Sequence, residues 1–194
     1  MNTKVKLIAT AAMGLEALVA KEVRQLGYED TVVENGKVIF EADHHAIARC
    51  NLWLRTADRI KLVVGEFQAT TYDELFEETK ALPWERYITE DGKFPVTGKS
   101  HKSKLFSVPD CQSIVKKAIV EKLKQKHGIA NWLEETGAEY KIEVALLKDN
   151  VLLTLDTSGA GLHKRGYRIG QGGCPPTERN ISSCTSAINE LESR

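Results

Sequence analysis

Long apolar runs are missing from this 194-residue chain. The longest, Val144–Leu147 and Val151–Leu155 among them, fall far below the roughly 18 to 20 residues that span a bilayer, so no helical membrane anchor is expected. The basic N-terminus has no signal-like apolar core, because Glu16, Lys21 and Glu22 interrupt it, and a cytoplasmic protein is expected. Paired cysteines are also missing. Cys50, Cys111, Cys174 and Cys184 stand far apart, with no Cys-x-x-Cys and no nearby histidine set. That spacing indicates neither a zinc site nor a disulfide framework, and buried inert thiols are the expectation. Catalytic signatures are absent in the same way. There is no Walker phosphate loop, no GxGxxG after a strand, no nucleophile elbow and no HExxH. His44 and His45 follow Asp43 at a predicted helix start, but neighbours on a helix point about 100° apart and do not jointly hold one metal. They read as surface histidines, and no metal is expected.

Net charge is zero, with 27 Lys and Arg against 27 Asp and Glu, yet the charge is not evenly spread. From Lys93 to Gly128 nine lysines face only Asp110 and Glu121, a net of +7. From Glu66 to Asp91 eight carboxylates face Lys80 and Arg86, a net of −6. Clustered lysines with hydroxyls between them suit a polyanion, because each neutralised phosphate releases a condensed counterion while hydroxyls fix register. Nucleic acid is the first partner to consider.

The hydrophobic pattern places these segments in an α/β chain. Lys4–Thr10 reads as a strand, Gly14–Leu26 as a helix stopped by Gly27, and Thr31–Val33 with Lys37–Glu41 as a hairpin about Asn35-Gly36. Asp43 is placed to cap a helix through Leu54, and Arg59–Phe67 returns as a strand. The order β-α-β-β-α-β predicts a ferredoxin-like unit over residues 1–67. The pattern then restarts over 68–168. Thr71–Leu82 reads as a helix, Phe94–Thr97 as a short strand, and Glu139–Leu147 with Val151–Asp156 as strands turning at Asp149-Asn150. Between them Ser107 and Asp110 predict a capping box opening a long helix. Cys111, Ile114, Val115, Ala118, Ile119 and Leu123 form its buried stripe, and Gln112, Lys116, Lys117, Lys124 and Gln125 face solvent.

Two constellations could hold a phosphate backbone. One is Lys99, Ser100, His101, Lys102, Ser103 and Lys104 with the following helix N-terminus, where free amides and the helix dipole favour an anion. A solvated lysine loop is the plain alternative, since charge runs are weak motifs. The other is His163, Lys164, Arg165, Tyr167 and Arg168, where cations would clamp backbone and Tyr167 would stack on a base. A surface connector with an anchoring tyrosine is its plain alternative. A third possibility is a protein-interaction module built on the acidic 66–91 segment.

The segments KSHKSKLFSVPDCQSIVKKAIVEKL (Lys99–Leu123), LDTSGAGLHKRGYR (Leu155–Arg168) and LIATAAMGLEALVAKEV resemble the N-terminal half of the THUMP-containing RNA methyltransferases. The likeness is greatest to bacterial enzymes that methylate guanine N2 in large-subunit ribosomal RNA, and it covers roughly residues 4–172. It implies a ferredoxin-like domain followed by a THUMP domain that holds folded RNA, probed by shape and backbone. In the family a C-terminal Rossmann-like domain then transfers methyl from S-adenosylmethionine. This sequence has neither an Asn-Pro-Pro-Tyr tetrapeptide nor an Asp-rich glycine loop, so no cofactor is expected in the chain itself and no activity alone. The expected partner is RNA, ribosomal RNA by the resemblance, contacted through the two constellations together with Lys116 and Lys117.

The likeness stops at Cys174. The family pattern would continue into a helix resembling Leu-Lys-Glu-Thr-Leu-Ala-Ala-Ala-Leu, whereas this chain runs TERNISSCTS from Thr177 to Ser186. Codons ACT GAA AGA AAC ATT AGC AGC TGC ACT AGT encode that stretch, and the same letters without the first A encode the family helix. Residues 169–194 are therefore expected to be a linker and a frame-shifted tail.

Overall fold

The computed structural model describes residues 4–128, 135–159 and 161–162. The tail 169–194, with Cys174 and Cys184, lies outside them. The chain forms two compact units, one built from Ile8–Ile60 and the other from Val5–Leu7 with Lys61–Gly159. The strands run in the order β2-β3-β1-β4-β7-β6-β5, where β1 is Val5–Ala11, β2 Thr31–Glu34, β3 Lys37–Ala42, β4 Ala57–Gln68, β5 Val96–His101, β6 Ile142–Leu147 and β7 Asn150–Asp156. The helices are α1 Glu16–Gln25, α2 His45–Trp53, α3 Tyr72–Ala81 and α4 Val108–His127, and none among the described residues is long and apolar enough to cross a membrane.

From β1 to β4 the elements follow the predicted β-α-β-β-α-β order. The opening helix starts two residues later than predicted, because Gly14 adopts φ +88° and belongs to the turn. Glu16 then holds that turn to the β2–β3 hairpin, its carboxylate accepting from the Gly14 and Gly36 amides at 2.8 Å each. The Gly36 bond leads in pulling the Glu16 pKa below its ordinary value. Asp43 caps α2 as expected, accepting from the Ala46 amide at 2.9 Å. Glu22 is buried on α1 and accepts from the Arg55 amide, the Thr56 amide and the Thr56 hydroxyl. One carboxylate thus fixes α1 to the start of β4.

In the second unit β4 pairs antiparallel with β7, β7 antiparallel with β6, and β6 parallel with β5. Helix α3 opens with a full capping box: the Thr71 hydroxyl accepts from the Glu74 amide while the Glu74 carboxylate accepts from the Thr71 amide. The buried side of α4, Cys111, Val115, Ala118, Ile119 and Leu123, follows the predicted stripe except at Ile114, which is only half-buried, and shares a core with Leu75, Trp84, Phe94, Val144 and Leu153. Cys50 and Cys111 are free and buried, and burial raises the Cys50 thiol pKa to about 12.

Two expectations change here. Strand β5 runs Val96–His101 rather than Phe94–Thr97, so Lys99, Ser100 and His101 are strand residues. Their weak strand propensity hid this; pairing along β6 supplies the backbone bonds, and an edge strand tolerates lysine. The β6–β7 turn is Lys148-Asp149 rather than Asp149-Asn150, because both residues take positive φ, 51° and 63°, as a two-residue hairpin turn demands.

Candidate nucleic-acid interface

The lysine-rich segment divides between a strand and a loop. Lys99 and His101 are exposed on β5, whereas Ser100 is half-buried and its hydroxyl donates to the Leu105 carbonyl at 2.7 Å. Lys102 turns the chain with φ 50°, a conformation that disfavours an L side chain by about 1 kcal/mol. The β6–β7 turn supplies the bonds that hold it. The Ser103 hydroxyl donates to the His101 carbonyl at 3.2 Å and accepts from the Asp149 amide at 3.1 Å. The Asp149 carboxylate accepts from the Lys104 amide at 2.7 Å, and the Lys148 amide donates to the His101 carbonyl at 3.2 Å.

This stitching brings Lys148 beside Lys102 and Lys104. All three are exposed, and none is in an ion pair with another described residue. Asp149 is the one acidic residue of the 102–107 loop and the 148–149 turn, and its carboxylate is bonded to backbone. Phe106 follows in the same loop, 80% exposed, while its neighbour Leu105 is buried. Lys148 and Phe106 were not among the candidates. Lys148 is 44 residues from Lys104 in the chain, and a single lysine in a turn carries no motif. The signal for Phe106 was its position between the lysines and the helix cap.

The remaining lysines are differently placed. Lys99 is exposed but bonded to Glu143 at 2.7 Å, and Glu143 also holds Lys61 at 2.6 Å. Burial raises the Glu143 pKa, but the hydrogen bonds and charges of the two lysines outweigh it and the net direction is down. Lys116 is half-buried, paired with Glu135 at 2.8 Å and 5.6 Å over the Phe94 ring, so it is not the open surface group expected. Lys117 is exposed and sits 5.7 Å over the Phe76 ring. Both lie about 12 Å or more along α4 from its first residue, at ~1.5 Å per residue. Helix α4 begins after Ser107 as predicted, yet the capping box does not form, since the Ser107 side chain makes no cap hydrogen bond. His163, Lys164, Arg165, Tyr167 and Arg168 lie outside the described residues. Among the described residues no three His, Cys, Asp or Glu side chains cluster as a metal site.

The architecture defines a modular class, a ferredoxin-like domain followed by a THUMP domain. Residues 6–61 match the RlmL ferredoxin-like domain, and residues 69–156 match the THUMP domain. The chain belongs to the THUMP-domain RNA methyltransferase family, of which it carries these two regions.

Among its relatives is "Putative RNA methyltransferase YpsC" of Bacillus subtilis, 69% identical over 96% of this chain and 48% of that protein. Ribosomal RNA large subunit methyltransferase K/L of Pseudomonas putida is 32% identical over 92% of this chain and 24% of its own length. The chain therefore spans about half of the first relative and about a quarter of the second. Two crystal structures are also similar. A Listeria monocytogenes protein described as a "predicted N6-adenine-specific DNA methylase" is 61% identical, with TM-score 0.85 over 97% of this chain and 48% of that one. SMU.472 complexed with SAH is 48% identical, with TM-score 0.84 over 98% of this chain and 49% of that one. SAH is what S-adenosylmethionine becomes after giving up its methyl group, and methyltransferase relatives with such a complex among them imply that cofactor for the family.

Proposed function

We propose that this chain is the RNA-holding region of an S-adenosylmethionine-dependent methyltransferase acting on guanine N2 of large-subunit ribosomal RNA in the cytoplasm. The catalytic domain is assigned to sequence outside this chain, so the chain alone transfers no methyl group. One observation carries the reading: Lys102, Lys104 and Lys148, exposed and in no ion pair with another described residue, stand on two loops joined by hydrogen bonds. Such a fixed group of cations neutralises successive phosphates without ordering a flexible loop at the moment of binding. We also propose phosphate contacts for Lys164, Arg165 and Arg168 and sugar or base contacts for His163 and Tyr167, from their residue types alone.

The acidic 66–91 segment is less suited to a partner protein, since several of its carboxylates are engaged locally. Glu66 pairs with Lys6, Glu74 closes the α3 cap, Glu90 meets His127 and Asp91 accepts from Thr89. Binding of ribosomal RNA fragments to the wild-type chain and to a Lys102→Glu, Lys104→Glu, Lys148→Glu variant tests the assignment. Loss of binding is expected; equal binding would sink it.

A further inference from the structure

We propose that Phe106 is a stacking platform for one unpaired RNA base whose flanking phosphates are held by Lys102, Lys104 and Lys148. The inference rests on the RNA-binding reading above and names the feature of RNA that the loop selects. Phe106 is 80% exposed, so its ring adds little to the core, although it sits directly after Leu105, which is buried. Its backbone is not free to move. The preceding carbonyl accepts from Ser100 at 2.7 Å, and the following residue, Ser107, is the N-cap of α4. An aromatic ring on a held backbone has only two side-chain torsions to order on binding, and every base offers a π-face to it.

The surroundings favour a nucleotide over an apolar protein segment. Lys104 is two residues away, at most about 7 Å along an extended chain, and Lys102 and Lys148 are tied to the same loop. An apolar partner would have to desolvate these cations, whereas a nucleotide satisfies ring and cations together. A paired base keeps its faces inside the stack, so the platform selects single-stranded positions over duplex ones.

The test compares this chain with Phe106→Ala, Phe106→Trp and the triple variant Lys102→Gln, Lys104→Gln, Lys148→Gln. Each is titrated with a blunt two-stranded RNA duplex and with a duplex of equal phosphate count carrying a single-stranded tail that contains 2-aminopurine. Phe106→Ala is expected to weaken tailed RNA about 5- to 100-fold, spare the blunt duplex and abolish 2-aminopurine quenching, with the salt slope unchanged. Phe106→Trp should retain both affinity and quenching. If the triple variant loses binding while Phe106→Ala binds tailed RNA normally, the stacking inference fails and the RNA-binding reading stands. Equal losses on both duplexes would also overturn it, as would a Phe106→Ala effect confined to self-association of the chain, which would assign the ring to a protein contact. If the triple variant binds as wild type, the RNA-binding reading itself fails at this surface.

Discussion

Replacing Lys102, Lys104 and Lys148 by glutamine removes three positive charges and adds none of the opposite sign, so its effect can be worked out from counterion release. Each phosphate contact contributes about 0.9 to the slope of log affinity against log salt on duplex RNA, taking the DNA value, and about 0.7 on a single strand. Three lost contacts flatten the slope by about 2.7 or 2.1 respectively. Between about 200 and 50 mM salt, a fourfold change, the wild-type advantage should then widen by about 40-fold on duplex or about 20-fold on single strands. Fluorescence anisotropy at four or five salt concentrations reads this directly, with the thermal midpoint of each variant as a folding check. All three side chains are exposed, so little change in stability is expected. Lys116→Gln is the internal comparison. That lysine already pairs with Glu135 at 2.8 Å, so its phosphate contribution should be smaller than that of Lys102. An unchanged slope in the triple variant, or a larger slope change for Lys116→Gln than for Lys102→Gln, would refute the assignment of the site to this pair of loops.

Glu22→Ala should destabilise the chain by about 2–4 kcal/mol in urea denaturation, because it strands two amides and a hydroxyl at the start of β4. Glu143→Gln should cost about 1–2 kcal/mol at neutral pH, discounted for the exposure of Lys99. The folded-state pKa of Glu143 is lowered, so its stabilisation is present above the ordinary carboxylate range and is lost as pH falls through the folded value. Wild type and Glu143→Gln should therefore converge in stability on acidification, as pH-dependent thermal melts would show. The Cys50 thiol, raised to about 12 by burial, should resist a thiol reagent in the native state at pH 8 and react on unfolding; rapid native labelling at Cys50 would contradict its burial.

Local pattern was enough to read most of the elements. The apolar stripe of α4 from Cys111 to Leu123 recurs at helical spacing, and the hairpin at Asn35-Gly36 is bounded by alternating residues, so both could be read within a few turns of chain. Strand β5 was not legible in full. Lys99, Ser100 and His101 have no strand-like pattern of their own, and they are extended because β6, more than 40 residues away, pairs with them. The capping box at Ser107 shows the limit of a local motif: α4 begins after Ser107, but its side chain makes no cap hydrogen bond.

The sequence by itself determined the order of elements, the helical stripe, and the concentration of lysine between Lys93 and Gly128, since these depend on neighbours in the chain. Only the tertiary structure decided which lysines stand together and, among the described residues, make no ion pair. Lys99 and Lys116 are claimed by Glu143 and Glu135, whereas Lys148 is brought to Lys102 and Lys104 by bonds from Asp149 to Ser103 and Lys104. Those bonds join residues about 45 positions apart, a distance over which sequence periodicity carries no information and sheet pairing carries all of it.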